Sequence, residues 1–329
     1  MLPAFVCPQC HGALQSDSDA YLCRQCQKTY PVILGIPDFR LAPDPWIGID
    51  EDREKARRLA PLIASQTFAE AVQTYWDITP TTSSTLSRRY IQHVVDAEHR
   101  AEQWLDAHAD RVATGGCWLD LGCGTAELVS VGATRGVTVV GVDIALRWLV
   151  VASRRAHLME RAPQLVCANA EFLPFAEKSF VRAVSLGLLE HCPDASHVVN
   201  EARRVLRPPG LLLMRTVNRF SLLPEPHVHV WGVGFVPRRW ADRYVHWRAG
   251  LRYQHHRPLS ARELRQGFEQ ARFADVHVEA AALLPLDRDR IPRWARRVAT
   301  LYNWAARAPI FRDVLQWIAP ILQVRGRVT

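Results

Sequence analysis

Lysine is nearly absent from this 329-residue sequence. It occurs only at Lys28, Lys55 and Lys178, so arginine carries almost all of the positive charge. This bias, together with abundant alanine and proline, is typical of a GC-rich coding sequence. The formal net charge of +8 therefore says little about a nucleic-acid or lipid partner, although both classes stay open.

Long apolar runs are also missing. No stretch reaches the roughly 18 consecutive apolar residues of a membrane-spanning helix, so we expect none. The first ten residues, MLPAFVCPQC, lack the basic and apolar segments of a secretory signal. We therefore expect a cytoplasmic protein, with peripheral contact at the inner membrane face as an alternative. The length favours one large domain and a small one.

Four of the eight cysteines lie within the first 26 residues. Cys7 and Cys10 form one CxxC pair, and Cys23 and Cys26 form a second pair after 12 intervening residues. Two such pairs can hold one tetrahedral zinc ion, and a four-thiolate site leaves no position for catalysis. We predict a structural zinc ribbon over residues 1–40. A disulfide framework is the alternative, which a cytoplasmic location disfavours.

The segment WLDLGCGTAE, residues 118–127, predicts a buried strand, a glycine turn and the start of a helix. Gly122 and Gly124 permit a sharp turn and the close approach of a ligand. Nineteen residues after Gly124, Asp143 ends the apolar run VTVVGVD, where a carboxylate can accept hydrogen bonds from a ribose diol. The GxGxxG pattern of dinucleotide sites is absent, and no basic residue lies in the loop to meet a phosphate. These features predict a nucleoside ligand without phosphate, such as S-adenosylmethionine (SAM).

Strand and helix patterns alternate from residue 116 onward. The predicted strands cover residues 118–121, 137–142, 164–167, 181–186, 210–218, 274–280 and 322–328. This alternation indicates a mostly parallel sheet with helices on both faces, and the last strand is predicted to be antiparallel.

Five motifs, in this order and spacing, resemble those of class I SAM-dependent methyltransferases of the methyltransferase-11 type. They are WLDLGCGTAE, VVGVD, CANAEFLPF, AVSLGLLEHCPD and EARRVLRPPGLLLM, and they cover about residues 110–220. The resemblance implies an α/β fold with a doubly wound seven-stranded sheet, a methyltransferase domain over residues 111–329 and SAM as cofactor. The cofactor-binding residues that it implies are Asp120, Gly122, Cys123, Gly124, Asp143, Ile144, Asn169, Ala170, Glu171, Leu186 and Gly187.

Several roles follow from the same resemblance. It places Asp120 at the methionine end of SAM, Asp143 at the ribose hydroxyls and Ile144 beside the adenine, with residues 186 and 187 where the methyl group meets its acceptor. Asn169 stands where the family has an acidic residue that meets the adenine amino group, and its amide oxygen still offers an acceptor. Ala126 replaces a glycine that is common in the first motif, which costs little if the position is helical.

The N-terminal part carries a second resemblance. The pattern CPxC…CxxC followed by YPVxxGIPDF, over about residues 5–40, resembles the zinc-ribbon module related to the small activator subunit of tRNA methyltransferases. Residues 41–110 are predicted to be a linker followed by helices that cover the cofactor. Tyr75, Arg88 and Tyr90 are candidate pocket residues on those helices.

Three histidines are candidate general bases, because imidazole titrates near neutral pH. His227 and His229 follow a rigid Pro-Glu-Pro turn, inside an insertion over residues 219–259 that is rich in Trp, His, Tyr and Arg. His191 follows the fourth predicted strand of the methyltransferase domain. Inserts at this point commonly form the acceptor lid in this fold, so the insertion is predicted to bind the methyl acceptor.

Two further features of the sequence indicate a function less strongly. His255 and His256, together with the two histidines after the Pro-Glu-Pro turn, could hold a metal by type, but their spacing matches no standard site, so none is predicted there. Residues 291–321 are amphipathic and rich in aromatic residues and arginine. They are predicted to dock onto the domain, with a cover over the pocket or a helix in the plane of a membrane as the alternatives.

The sequence is compatible with three functions. The first is methylation, most simply on oxygen, of a small-molecule, glycan or lipid-linked acceptor in secondary-metabolite or cell-envelope biosynthesis. The second is an RNA methyltransferase, which the ribbon and the charge favour; against it, the ribbon has few basic residues (Arg24 and Lys28), and SLGLLEH stands where an NPPY-type motif would be needed. The third is a non-catalytic SAM-binding partner protein. The oligomeric state is left open.

Overall fold

The computed structural model describes residues 3–79, 84–108, 115–155, 164–290 and 293–329. The chain folds as two compact units, Met1–Ala183 and Val184–Thr329. The domain boundary predicted between residues 110 and 111 lies outside the described residues, and the predicted boundaries stay predictions. Among the described residues, no helix has the length and apolar character that crossing a membrane requires.

The first unit begins with a small antiparallel sheet. Its strands follow one another in space as in sequence: β1 (Leu14–Ser16), β2 (Ala20–Cys23), β3 (Thr29–Ile33) and β4 (Ile36–Pro37). Helices α1 (Ile49–Ile63), α2 (Phe68–Asp77), α3 (Ser84–Val95) and α4 (Ala97–Ala107) come next. A capping box fixes the start of α2, because the Thr67 hydroxyl accepts from the Glu70 backbone N–H while the Glu70 carboxylate accepts from that of Thr67.

Three parallel strands form the central part of the same unit. They are β5 (Cys117–Leu121), β6 (Thr138–Asp143) and β7 (Leu165–Cys167), with α5 (Glu127–Thr134) and α6 (Leu146–Ala152) between them. Every residue of β5 is buried. Such two-sided burial is what parallel strands covered by helices show, and it explains the apolar runs in the sequence.

The N-terminal sheet is joined to the edge strand β7. The Phe39 N–H donates to the Cys167 carbonyl at 2.7 Å, and Asp38 forms a parallel bridge with Cys167. The Val6 N–H donates to the Pro174 carbonyl at 3.0 Å, while Phe5 packs against Phe175. The N-terminal segment therefore covers the exposed edge of β7, where unpaired backbone groups would otherwise invite association with another chain.

The second unit continues from strand β8 (Phe180–Leu186), inside which the division falls. Its elements are α7 (Ala195–Val205), β9 (Leu206–Val217), α8 (Arg238–Ala249), α9 (Ala261–Gln270), β10 (Ala274–Ala280), α10 (Pro285–Arg290), α11 (Arg293–Arg307), α12 (Pro309–Ile318) and β11 (Ile321–Arg327). Ser260 and Glu263 form the capping box of α9. The insertion over residues 219–259 packs a small core of its own from Val228, Val230, Val233, Ala241, Val245 and Tyr253.

One seven-stranded sheet has the order β10-β11-β9-β8-β5-β6-β7. Strand β11 is antiparallel to both of its neighbours, as the sequence predicts for the last strand. A parallel centre whose order reverses beside β5 and whose final strand is antiparallel is the arrangement of class I methyltransferases. The predicted fold class is confirmed.

Candidate functional site

The glycine loop after β5 is held against the end of β6. The chain turns with positive φ at Gly122 (70°) and Gly124 (51°), a backbone region that glycine enters without a steric penalty. The Gly122 and Cys123 N–H groups both donate to the Val142 carbonyl, at 2.8 and 3.0 Å. The Gly124 N–H donates to Asp143 Oδ2 at 2.8 Å. The predicted cofactor loop and the predicted ribose carboxylate are therefore one hydrogen-bonded structure.

The Asp143 carboxylate ends β6 and accepts two backbone hydrogen bonds. Besides the bond from Gly124, the Ala145 N–H donates to Oδ1 at 2.8 Å. Burial raises the pKa of the Asp143 carboxyl, although these two hydrogen bonds oppose the shift. Each carboxylate oxygen has a second lone pair, so the group keeps the capacity to accept from two further hydroxyls. That capacity is what a ribose diol needs.

Two further carboxyl groups, those of Asp120 and Glu127, lie near Asp143. Asp120 is buried in β5, and its burial together with the charges of Glu127 and Asp143 raises the pKa of the Asp120 carboxyl well above its usual range. An opposite charge would favour the ionised form of such carboxyls, whereas a phosphate would add repulsion. The loop is electrostatically suited to a cationic ligand.

Ala126 is not in a helical conformation. It is the residue before α5, it is buried, and its φ of 58° and ψ of 36° are left-handed. The condition under which alanine replaces glycine at little cost is therefore not met, because a left-handed conformation costs an L-residue about 1–2 kcal/mol. The helix begins one residue later, at Glu127.

Asn169 has a structural partner that the sequence did not reveal. Its amide oxygen accepts from the Leu41 and Ala42 N–H groups at 2.9 and 3.2 Å, and its amide nitrogen donates to the Ala42 carbonyl at 3.2 Å. The side chain thus holds the linker beside Ala170, which is buried, and Glu171, which is half-buried. The predicted contact of Asn169 with adenine stays a prediction, and its oxygen already carries two hydrogen bonds.

A buried network of charges was missed by sequence reasoning. Its members are Asp38, Arg40, Asp44, Asp52, Arg53 and Arg147. Arg40 bridges Asp38 and Asp52 at 2.8 and 2.7 Å, and all three side chains are fully buried. Arg147 bridges Asp52 and Asp44, both at 2.8 Å. The only signal in the sequence is the density of charges around residues 38–53, which is equally typical of a solvated linker.

The buried network holds the backbone directly after Asp143. Arg40 Nη1 donates to the Ile144 carbonyl at 3.0 Å, and the Leu146 N–H donates to Asp52 Oδ2 at 2.9 Å. Ile144 is the residue predicted to flank the adenine. The N-terminal segment and α1 therefore fix the position of part of the predicted cofactor site.

The candidate pocket residues of the first unit lie in different surroundings. Tyr75 is buried, its hydroxyl oxygen accepts from Arg147 Nε at 3.3 Å, and its ring packs on Trp148 with centroids 4.1 Å apart. Tyr90 is exposed and stacks on Trp76 at 5.4 Å, and Arg88 is exposed. Tyr75 thus supports the segment after Asp143, while a pocket role for all three stays a prediction.

The four N-terminal cysteines converge as their spacing predicts. Their sulfur atoms all lie within 4.8 Å of one another, with Cys7 to Cys26 and Cys10 to Cys23 both at 3.5 Å. Zn–S bonds of about 2.3 Å in a tetrahedral site separate sulfurs by about 3.8 Å, so the four thiols fit one zinc ion. The Tyr30 hydroxyl lies 3.2 Å from Cys7 Sγ and would orient that ligand.

The second unit brings together two of the three predicted histidines and adds a third. Strand β8 ends at Leu186, Gly187 has a φ of 123°, and a short turn over Leu189–His191 follows. One ring nitrogen from each of His191, His227 and His256 lies within 4.8 Å of the other two. These three residues are called the histidine cluster. His229 lies outside it, exposed and with a φ of 54°.

Two further residues, Glu225 and Arg257, help to position the histidine cluster. The Glu225 carboxylate lies 2.6 Å from His227 Nδ1 and accepts from the His227 and Val228 N–H groups at 2.8 and 3.0 Å. Burial opposes ionisation of Glu225, but these hydrogen bonds hold the pKa of its carboxyl below the usual range. The Arg257 N–H donates to the Glu190 carbonyl at 2.7 Å, which brings His256 beside His191.

His256 is the member of the cluster that sequence reasoning did not select as a base. Burial, with the nearby His227 and His191, lowers the pKa of His256 to about 4, so its imidazole is neutral near pH 7. The Tyr253 ring stacks on it with centroids 5.4 Å apart. The pair of histidines at 255 and 256 was visible in the sequence, but its proximity to residue 191 depends on the fold.

A cavity of about 310 Å³ adjoins the histidine cluster within the second unit. Its wall includes Glu225 and His256 together with four arginines, Arg219, Arg238, Arg239 and Arg257. Arg238 pairs with Glu263 at 2.8 Å. Burial and the nearby Arg238 lower the pKa of the Arg219 guanidinium, so an anionic group in the cavity would relieve this repulsion.

Comparison with known proteins finds that this chain is similar to methyltransferases. Residues 119–214 match the family model described as a methyltransferase domain. A ubiquinone biosynthesis O-methyltransferase of Idiomarina loihiensis is 32% identical over 171 residues, covering 51% of this chain and 65% of the relative. The 27-O-demethylrifamycin SV methyltransferase of Amycolatopsis mediterranei is 35% identical over 111 residues, covering 33% and 40%. The chain thus spans less than two thirds of the length of either relative.

Among solved structures, an S-adenosylmethionine dependent methyltransferase from Mesorhizobium loti is 19% identical. The match covers 69% of this chain and 98% of that one, with a TM-score of 0.46. The fold assignment rests on the strand order and on the directions of the central and final strands.

Proposed function

We propose that this chain transfers the methyl group of SAM to a hydroxyl oxygen of a small molecule. The observation that carries the proposal is the acidic glycine loop, in which Gly124 and Asp143 are hydrogen-bonded and Asp120 lies nearby. SAM has a ribose for Asp143, a positive charge for the acidic surroundings and no phosphate. The family model over residues 119–214 supports the same ligand.

The chemistry requires little beyond alignment. The sulfonium of SAM is a good leaving group, and the methyl group passes to the acceptor by in-line displacement. Proximity and orientation supply most of the acceleration. A hydroxyl is a poor nucleophile until it loses its proton, so an O-methyltransferase gains from a group that activates the acceptor. We place that activation at the histidine cluster, which contains His227 and His191 of the predicted bases; no role is assigned to His229.

A small polar acceptor is supported by the cavity beside the histidine cluster. Its volume of about 310 Å³ lies at the lower end of the range for small-molecule sites, about 300–1,000 Å³. Its four arginines favour an acceptor that carries an anionic or hydroxylated group. The names of the two relatives, an O-methyltransferase of ubiquinone biosynthesis and a 27-O-demethylrifamycin SV methyltransferase, are consistent with an oxygen acceptor.

The cysteine site is proposed to hold a structural zinc ion. It would stabilise the N-terminal sheet, whose strands are two to five residues long and could bury little apolar surface alone. Because that sheet covers the edge of β7, the ion would also support the first unit. The resemblance of this segment to the activator module stays part of the proposal.

Peripheral membrane contact is proposed for the C-terminal helices. Val298, Leu301 and Trp304 on α11 are each about 60% exposed, and Ile310 on α12 is 83% exposed. Exposed apolar residues among arginines are typical of helices that lie in a bilayer interface. A lipid-linked acceptor could be presented in this way.

The proposal is tested by following labelled methyl from SAM. The purified chain is incubated with [methyl-³H]SAM and, in separate reactions, with a panel of phenolic acids, hydroxylated macrolactams, polyprenyl-linked sugars and total RNA. We expect SAM to bind and label to enter an alkali-stable ether of a small hydroxylated compound. Label in RNA alone would favour the RNA methyltransferase, and SAM binding without transfer to any panel member would favour the non-catalytic partner.

A further inference from the structure

We infer that the histidine cluster, His191, His227 and His256, is a second metal site that binds a zinc-like divalent cation with an open coordination position. The binding of the ion rests on the residues alone. Its use in activating a hydroxyl rests on the proposed function.

The histidine cluster offers three imidazole donors. Three imidazoles converge from parts of the chain far apart in sequence, with ring centroids 4.8, 5.2 and 4.2 Å apart for the pairs 191–227, 191–256 and 227–256. Zn–N bonds of about 2.0–2.1 Å separate two ligand nitrogens by about 3.4 Å. One ring nitrogen of each histidine lies within 4.8 Å of the other two, so each pair has to draw together by at most about 1.4 Å. Rotation about the side-chain torsions can supply this movement.

His227 has a carboxylate beside its Nδ1 atom. Ligating histidines usually donate their other ring N–H to a carboxylate, which fixes the tautomer and makes the ligand more basic. Glu225 lies 2.6 Å from His227 Nδ1. In a neutral imidazole that donates from Nδ1 to this carboxylate, Nε2 carries the lone pair that a metal needs. Glu225 is itself held by the N–H groups of His227 and Val228, and is a positioning residue for the site.

The histidine cluster borders a cavity. His256 and Glu225 lie on the wall of the 310 Å³ cavity. Three protein ligands leave the fourth tetrahedral position of zinc free, which is the arrangement of catalytic rather than structural sites. An acceptor hydroxyl at that position would lose its proton to solvent at a lower pH, because the ion stabilises the alkoxide.

The site is tested by metal content. The whole chain is produced with zinc in the medium, and gel filtration removes loosely bound ions. Its zinc content is then measured by inductively coupled plasma mass spectrometry. We expect two zinc ions per chain in the wild type and one in His256→Ala and in His227→Gln. His229→Asn is the matched control: it changes a histidine two residues from His227 but outside the cluster, and asparagine tolerates its positive φ. This control should keep two ions.

Substitution with cobalt(II) distinguishes the two sites. A thiolate-to-cobalt charge-transfer band should belong to the cysteine site and disappear in Cys10→Ser, whereas the d–d bands of the three-histidine site should disappear in His256→Ala. Glu225→Gln should weaken zinc binding at the histidine cluster by about 10–100-fold and leave the cysteine site unchanged. These two results would support the ligand assignment and the positioning role.

Equal zinc content in wild type and in both cluster variants, with unchanged cobalt spectra, would overturn the second site. Two variants guard against a failure of either one to fold, and circular dichroism checks this. The outcome is separable from the proposed function: titration with SAM measures the glycine-loop site independently, so loss of SAM binding would overturn the methyltransferase proposal and leave the metal result standing.

Discussion

At the scale of single residues, Asp143 shows how a residue recognised in a sequence motif acts in the structure. Its carboxylate orders the glycine loop through the Gly124 N–H and the next turn through the Ala145 N–H, both at 2.8 Å. A ribose bound there would meet an acceptor whose position is fixed before the ligand arrives. This preorganisation lowers the cost of binding, because no loop has to be ordered at that moment.

Replacement of this carboxylate should weaken SAM binding. In Asp143→Asn, the amide NH₂ would face a backbone N–H, and a charge-assisted hydrogen bond to the ribose would be lost. Hydrogen bonds to charged groups contribute about 1.5–3 kcal/mol, so the Kd for SAM should rise about 10- to 100-fold in a calorimetric titration. Asp50→Asn removes a carboxylate that is 95% exposed and should bind SAM as the wild type does. An unchanged Kd in Asp143→Asn would remove this residue from the site.

Residues differ in how far the sequence could predict their role. Gly122, Gly124 and Asp143 are recognisable because their function depends on neighbours close in the chain. Asn169 and His256 are not, because their partners at residues 41–42 and at residue 191 are brought near by the fold. Ala126 shows a different limit, since sequence does not reveal that its backbone is left-handed.

At the scale of elements, α1 and the segment before it position the end of β6. Asp52 on α1 accepts from Arg40, from Arg147 and from the Leu146 N–H, all in buried surroundings. The sequence correctly predicts a linker that leads into a helix but not this use of the helix. A proline- and charge-rich composition is typical of linkers, and nothing local distinguishes a solvated aspartate from one that is buried between two arginines.

Removal of the Asp52 charge should destabilise the first unit. Asp52→Asn would leave two buried guanidinium groups short of a partner, and breaking a buried ion pair in this way typically costs about 3–5 kcal/mol. The free energy of unfolding from urea titration should fall by an amount of this order. Asp50→Asn on the same helix, at an exposed position, should change it by less than about 0.5 kcal/mol. Equal stability of the two variants would contradict the importance of the network.

Asp38 should make stability depend on pH in the acid range. Burial opposes its ionisation, but Arg40 and Arg53 hold the pKa of its carboxyl below the usual value of about 3.9. The folded state therefore binds the proton less readily than the unfolded state. The contribution of Asp38 is complete above about pH 4 and is lost as the pH falls through its folded pKa.

The test compares wild type with Asp38→Asn in urea titrations between about pH 7 and pH 3. We expect the variant to be less stable near neutrality and the difference to shrink as the pH falls below about 4. A difference that stays constant down to pH 3 would show that the Asp38 charge is not what the network uses.

At the scale of the whole molecule, sequence reasoning succeeded for the large sheet because its strands have strong apolar patterns at regular spacing. The small sheet was predicted through its cysteines rather than through any core of its own. The sequence did not predict the attachment of the N-terminal sheet to β7. This attachment depends on backbone hydrogen bonds such as that from Phe39 to Cys167. Such hydrogen bonds join backbone groups and do not depend on the side chains, so the residue types do not reveal them.

The C-terminal helices should bind anionic membranes. We expect the chain to float with vesicles of phosphatidylglycerol and to stay unbound with vesicles of phosphatidylcholine, because arginines accompany the exposed apolar residues. Leu301→Glu and Trp304→Glu should abolish flotation. Trp247→Glu changes a tryptophan that is 75% exposed but lies in the insertion, and should float as the wild type does. Flotation that survives both helix variants would refute this assignment.

SAM is proposed to bind at the glycine loop with its ribose on Asp143. The most direct measurement is a crystal structure with S-adenosylhomocysteine. We expect the two ribose hydroxyl oxygens within about 2.6–3.2 Å of the Asp143 carboxylate and the amino-acid part of the ligand against Gly122 and Gly124. Density for the ligand at another place, or none at saturating concentration in crystals of intact protein, would contradict the claim.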